Sequence, residues 1–569
     1  MSTRRHFVSQ LTTAAGAGLA LGAAPFAAAA STPDAGPARP APGWLDVRSF
    51  GARGDGTTLD TAALQAAIDA CTAAGGGTVF LPAGRFLSGS LTLKDNVTLH
   101  LSPGAILLGS QDAADYPARP FGTRDLDVGG FEIWALLYAD GAHNLAIEGR
   151  GLIDGNGQLF RPRAKIQSLD VASGPRPRGI FLKDCRRVTL RDFELRNSGL
   201  WTVHLARCEQ VAIDGIRLLS EHFVQQDGII IDSSRDVRVS NCTINTIDDA
   251  LVFKSSYPVP SENIAITNCV LTCNSSAIKF GTQSLGGFRN IAISNCAIHN
   301  CRLGGLKFEA IDGGTLEDVT VSNIAMSEVS APLFFKLNNR ARDFGHKEVP
   351  QPQPVGRLRN IVITGLRARL TAKEIFYTGG AINPAERRGL PYRTANTVIL
   401  AGLPGHPIEN VSISDVHFTF AGGGTAAEGE RFDIPEEEKR YPENDMFGIL
   451  PCWGFYLRHA RGITLNNVRL DLLNPDARSV LVAEDVADLE INSLKTAAGA
   501  KHCVRLRASH DVRIRHSRLL EKSTHFLEVQ GGRADSVILD GNDLRLAATP
   551  IALQPDSAPD AVRQQGNFV

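Results

Sequence analysis

The chain has 569 residues, 43% of them apolar and 21% charged, with 59 basic side chains against 60 acidic ones. This balance excludes a disordered chain and a small disulfide scaffold. A net charge of −1 supplies no global field for nucleic acid or an anionic membrane, so any attraction for an acidic polymer must come from local basic residues.

Residues 1–30 read as an export signal rather than as part of the fold. Arg4 and Arg5 precede an apolar stretch from Leu11 to Ala24, and the small residues Ala27 to Ala30 offer cleavage sites. Paired arginines before an Ala/Gly-rich core, too short to span a bilayer comfortably, fit the twin-arginine route. An ordinary secretory signal or an anchored helix is the alternative. Residues 31–43 form a Pro/Ala linker, and one domain is expected from 44 to 569: a monomer, periplasmic or extracellular, off the membrane once the signal is removed. Near its start, Leu64, Ile68 and Cys71 recur at helical spacing. They predict an amphipathic helix over Leu59–Ala73 that caps the first strands, whose edge is otherwise unpaired.

Short alternating strands then repeat, each followed by Asn or Asp and another strand. They begin at Val188, Val211, Val237, Ile264, Ile291 and Val319, 23 to 28 residues apart, and return at Ile361, Val411, Ile463, Leu489, Val512 and Val537. Strands this short cannot bury an apolar face alone, but rungs stacked about 4.8 Å apart share one continuous core. Asn-Gly hairpin signals are nearly absent and the period is too short for a propeller blade, which disfavours antiparallel barrels and propellers. Asn241, Asn268, Asn295 and Asn323 occupy one repeated corner, where asparagine tolerates left-handed backbone and its amide bonds its neighbours along the stack. Three segments, Pro332–Arg357, Ala372–Pro407 and Gly422–Pro451, interrupt the period and are expected to leave the rungs as loops. Cys185, Cys208, Cys242, Cys269 and Cys296 recur at one place in the repeat, which predicts a ladder of buried free thiols. No CxxC pair or His/Cys cluster supports metal binding.

Several segments then become familiar together: Asp46–Ala52 with Gly54-Asp55-Gly56, Gln65–Asp69, Gly75–Val79, Gly149–Gly157, and Asn197–His204. They resemble the pectin-degrading enzymes of glycoside hydrolase family 28, the polygalacturonases and their relatives. The resemblance covers Trp44 to about Arg342 and implies an all-β fold, a right-handed parallel β-helix. Of the family's motifs NTDG, DD, GHG and RIK, the first stands here as Gln225-Gln226-Asp227-Gly228 and the second as Asp248-Asp249. The histidine of the third is replaced by Ser276, and the fourth becomes Lys307-Phe308-Glu309.

The residues also carry a chemical argument of their own. Aligned rungs put Asp227 opposite Asp249, about 4.8 Å away along the backbone, with Asp248 at the adjacent turn. Three carboxylates this close cannot all ionise freely, so one retains its proton. That supplies an acid for a leaving oxygen and a base for water. The alternative is that they are turn aspartates bonding backbone amides. Alternation turns Leu251, Phe253, Ile278, Phe280, Leu306 and Phe308 inward, and Lys254, Lys279, Lys307 and Glu309 outward. With Gln226, Ser276 and Arg340, these outward residues are the substrate-binding candidates, a floor for a carboxylate or hydroxyls; a solvated charged face is the alternative. His204 is a cleft residue or a packed one.

The resemblance implies hydrolysis with inversion, Asp248 as general acid and Asp227 and Asp249 activating water, on a galacturonide or related sugar of a pectin-type glycan. It implies no cofactor. The altered third and fourth motifs put ordinary endo-attack on polygalacturonate in doubt, so an exo-acting or side-chain-releasing enzyme is an equal expectation. Two other functions remain: a lyase using Ca2+ held by the aspartates, and a non-catalytic glycan-binding β-helix. The signal has its own test. Replacing Arg4 and Arg5 by lysine is expected to leave the precursor in the cytoplasm on cell fractionation; normal export of that variant contradicts the twin-arginine route.

Overall fold

The computed structural model describes residues 43–124, 130–160, 176–220, 225–374, 391–497, 501–531 and 536–569. The export signal and all but the last residue of the linker lie outside them. From Trp44 onward the chain winds as a right-handed parallel β-helix. Through the middle of the domain each turn contributes three strands, and each strand pairs in parallel with its equivalent one turn later. Leu251–Ser255, Ser261–Thr267 and Val270–Cys273 make one turn. The next, Ser276–Ser284, Phe288–Ser294 and Ala297–His299, lies on it strand for strand. The column that begins at Val188, Val211 and Val237 runs in register through Ile264, Ile291, Val319, Ile361, Val411, Ile463, Leu489, Val512 and Val537. Among the described strands one short pair, Arg119–Pro120 with Glu132–Ile133, is antiparallel.

The capping helix spans Thr61–Ala73 and buries Leu64, Ala67, Ile68 and Cys71. Its start falls after Leu59 because Asp55–Leu59 is itself a strand, paired with Gly84–Ser88. No described helix is long and apolar enough to cross a membrane.

Asn241, Asn268, Asn295 and Asn323 all have φ near +55°. Their amides bond along the stack, Asn323 Nδ2 donating to Asn295 Oδ1 at 2.7 Å and Asn241 Nδ2 to Asp214 Oδ1 at 2.7 Å. A second such ladder runs along another corner through Asp236, Asn263 and Asn290, at 3.0 and 2.8 Å. The five cysteines, all free and buried, do not share one place. Cys185 and Cys208 precede strands of one face, Arg186–Arg191 and Glu209–Asp214, whereas Cys242, Cys269 and Cys296 precede those of another. The longer gap between Cys208 and Cys242 is where the thiols change face.

The three excursions also hold more structure than loops. Leu333–Leu337 and Val398–Ala401 are strands that complete their turns, so the true departures are shorter. One spans residues 338–356, and another, residues 421–451, folds back over the outer face of the sheet.

Inside the helix, Phe253, Phe280, Phe308 and Phe335 stack on successive rungs, with ring centroids 4.4, 5.2 and 4.5 Å apart and planes within 17°. In-register pairing forces this repetition, since each ring sits on the equivalent position of the rung below. Phe280→Ala removes a ring packed on both sides and is expected to cost about 3 to 5 kcal/mol, measured by denaturant unfolding. A cost below about 1 kcal/mol contradicts the stacked core.

Candidate active site

Stacking places the carboxylates. The amide of Thr202 donates to Asp227 O at 2.8 Å, that of Gly228 to Asp249 O at 2.9 Å, and that of Ala250 to Ser276 O at 3.0 Å. Asp227, Asp249 and Ser276 therefore occupy one column on consecutive turns. The rungs approach closely here: a Cβ on Gly228 would lie 2.3 Å from Ala250 O, which only glycine avoids. Asp248 sits half-buried in the turn before Asp249, its oxygens accepting from the amides of Gln225 and Asp249, both at 2.9 Å.

The neighbouring pair is driven apart electrostatically. Burial and the adjacent Asp249 charge push the Asp248 carboxyl up to about 6, against the pull of Lys279 and two backbone amides. Burial also pushes Asp249 up, but Lys279, Lys307 and the hydrogen bonds of Ser275 and Ser276 outweigh it and hold this carboxyl down at about 2. Ser275 Oγ donates to Asp249 Oδ1 at 2.6 Å and the Ser276 amide to the same oxygen at 2.8 Å, while Lys279 Nζ lies 3.3 Å from Oδ2. One carboxyl that keeps its proton near neutrality beside one that has lost it is the pairing acid–base chemistry needs. With a cation on one oxygen and two donors on the other, Asp249 is poorly suited to a Ca2+ shell. Among the described residues no group of His, Cys, Asp or Glu converges on a metal-binding geometry.

Of the outward residues, Lys279, Lys307 and Glu309 are brought together, but not as an open floor, and Lys254 stands apart from them. Lys279 and Lys307 face each other across one rung, and both are buried, as is Glu309. The cover is the segment 421–451, whose Ile434, Met446, Phe447 and Leu450 pack on the outward-facing Phe334, Ile399, Tyr456 and Val482. From this strap Glu443 accepts a hydrogen bond from Lys307, places Oε1 3.8 Å from Lys279 Nζ, and Tyr441 OH accepts from Lys279 at 3.1 Å. Glu309 has neither oxygen hydrogen-bonded. Burial above all pushes its carboxyl up to about 8, with Lys279 and Lys307 pulling against it. Arg340 flanks the same strap, its guanidinium 5.1 Å from the centre of the Tyr441 ring. Ser276, next in the column after Asp249, has a buried hydroxyl with no hydrogen-bond partner.

On the other side of Asp227 lie Gln226, whose Nε2 donates to Ser198 O at 2.5 Å, and Lys254, whose Nζ sits 4.4 Å over the Trp201 ring. Arg178 approaches the same ring at 4.7 Å. His204 is a packed residue. Fully buried, it lies against Phe121, Phe181 and Trp201, with Nε2 3.4 Å from Asp232 Oδ2. Sequence reasoning misses Ser275, Tyr441 and Glu443. The available signal is the run of consecutive apolar residues in Leu333–Leu337 and Val398–Ala401, which marks strands buried on both faces and so implies a cover.

The fold is thus a parallel β-helix in which Asp248 and Asp249 lie next to the rungs that the strap covers. The chain belongs to the glycosyl hydrolases family 28, whose family model matches residues 71–375. It is 32% identical over 216 residues to a probable polygalacturonase of Vitis vinifera, covering 37% of this chain and 43% of that one. It is 28% identical over 257 residues to an exo-poly-alpha-D-galacturonosidase of Dickeya chrysanthemi, covering 37% and 41%. The chain thus spans about two fifths of the length of these relatives. The structure of the family 28 exopolygalacturonase of Yersinia enterocolitica superposes with a TM-score of 0.58 at 21% identity, covering 79% of each chain, a likeness of fold.

Proposed function

We propose that the protein is an exported glycoside hydrolase that cleaves a galacturonide or related linkage of a pectin-type glycan with inversion, acting alone as a monomer. The observation that carries this reading is the divergence of Asp248 and Asp249, one carboxyl raised and its neighbour lowered, with Asp227 one rung away. Asp248 gives its proton to the glycosidic oxygen as the bond to the anomeric carbon breaks. Asp249 and Asp227 take a proton from the water whose oxygen bonds that carbon from the opposite face. Solvent then restores both proton states. Gln226, Lys254, Ser276, Lys279, Lys307, Glu309 and Arg340 surround the sugars or hold the residues that do. The strap over the rungs beyond Asp249 favours exo-action, since it obstructs a chain running on in that direction. The Dickeya relative, an exo-poly-alpha-D-galacturonosidase by name, agrees with that choice. The paired Arg4-Arg5 supports export to the periplasm or beyond.

Turnover requires Asp248 protonated and Asp249 ionised. Activity is therefore expected to be flat between about pH 2 and about pH 6 where the fold persists, then to fall as Asp248 loses its proton. The same raised pKa makes the folded state bind the proton more tightly than the unfolded chain. Its stabilising share is complete below the ordinary carboxylate range and is lost as pH rises through about 6. Asp248→Asn removes that titration. It is expected to lower kcat by at least about 10²-fold on a panel of pectin fragments and aryl glycosides, with an unchanged or higher Tm and a gain that grows as pH rises to about 6 and then levels off. Most of the activity surviving in Asp248→Asn, or a loss of several kcal/mol of stability, contradicts the catalytic assignment and favours a structural turn.

A further inference from the structure

Lys279 and Lys307 are what a uronic acid would be expected to meet beside the aspartates: two buried ammonium groups on neighbouring rungs. In this chain a carboxylate is already there. Glu443, 8% exposed, hydrogen-bonds Lys307 and lies 3.8 Å from Lys279, which also faces Asp249 at 3.3 Å and Tyr441 at 3.1 Å. Glu443 is not a passing surface residue. Asn338 Nδ2 donates to Glu437 O and Arg440 O at 3.1 and 3.0 Å, Arg440 Nη1 to Met446 O at 2.7 Å, and Arg458 Nη1 to Ile434 O at 2.8 Å. Together with the apolar contacts of the strap, these bonds fix the segment that carries it.

The charges of the two lysines are consequently matched without substrate. Two lysines face two carboxylates, Asp249 and Glu443, and burial leaves Glu309 protonated below about pH 8. A sugar carboxylate entering against this wall would add an unmatched buried negative charge, which is strongly disfavoured.

We propose that Glu443 is a specificity-determining residue that occupies the position of a substrate carboxylate, so that the sugar seated against Lys279 and Lys307 is uncharged. The linkage cleaved then joins a neutral sugar to its neighbour, rather than two uronates. This rests on the hydrolase reading above and concerns the Glu443 side of the scissile bond alone.

The test uses trigalacturonate and its singly carboxyl-reduced isomers, in which one uronate becomes galactose. They compete for the full-length Asp248→Asn protein, and the retained species are identified by mass. One reduced isomer is expected to be retained about 10-fold or more over the unreduced trisaccharide. Adding the near-isosteric Glu443→Gln is expected to abolish that preference by freeing the lysines for a uronate. The inference is overturned if the unreduced trisaccharide is retained as well as every isomer, or if the preference survives Glu443→Gln. Should Glu443→Gln fail to fold, the first comparison decides alone. Turnover of the same sugars by the wild type is read separately: hydrolysis of none of them, with the preference intact, counts against the hydrolase reading and leaves the role of Glu443 standing.

Discussion

The register of parallel pairing between turns is the constraint on which the rest of this structure depends. Each backbone amide bonds the rung beside it, so a side chain's neighbours are its equivalents one turn away. This single rule produces the phenylalanine stack inside, the asparagine ladders at the corners and the two thiol ladders. The column of Asp227, Asp249 and Ser276 has the same origin. A slip of one residue would turn Phe253 outward and Lys254 inward, so fold and site stand or fall together.

The same rule creates an electrostatic problem that the chain resolves outside the repeat. Chain order puts Asp249 beside Asp248, and stacking puts Lys279 beside Lys307, like charges in both cases. The lysines lower Asp249, which leaves Asp248 as the carboxyl that keeps its proton. The lysines in turn are matched by Glu443 from a segment more than a hundred residues further on. Beyond them, the outward positions change from lysine to Phe334, Ile399, Tyr456 and Val482 where the strap settles. One sheet face thus carries the candidate site on its early rungs and packing on its later ones.

The features legible in the sequence are the ones that repeat. The period marks the columns, alternation turns Phe253, Phe280 and Phe308 inward, and rung alignment sets Asp227 against Asp249. The capping helix starts two residues later than its apolar spacing suggests and ends at the same alanine. The features that escape are aperiodic. The strands Leu333–Leu337 and Val398–Ala401 are hidden because Pro- and Gly-rich segments adjoin them. The lysines look like an open floor because nothing in a local pattern says that residues 421–451 return to cover them. Their burial is a tertiary fact, set by an apolar outer face that only becomes visible once those two strands are placed.

The central claim is that stacking splits the acidity of the neighbouring aspartates. The most direct test is a pH titration of carboxyl 13C resonances in protein labelled at aspartate, assigned by comparison with Asp248→Asn and Asp249→Asn. One resonance is expected to titrate near 6 and to vanish in Asp248→Asn. In Asp249→Asn it should move towards the ordinary carboxylate range, because its repelling neighbour has gone. A wild-type spectrum in which every aspartate titrates below about 4, or a resonance near 6 that persists in Asp248→Asn, would contradict it.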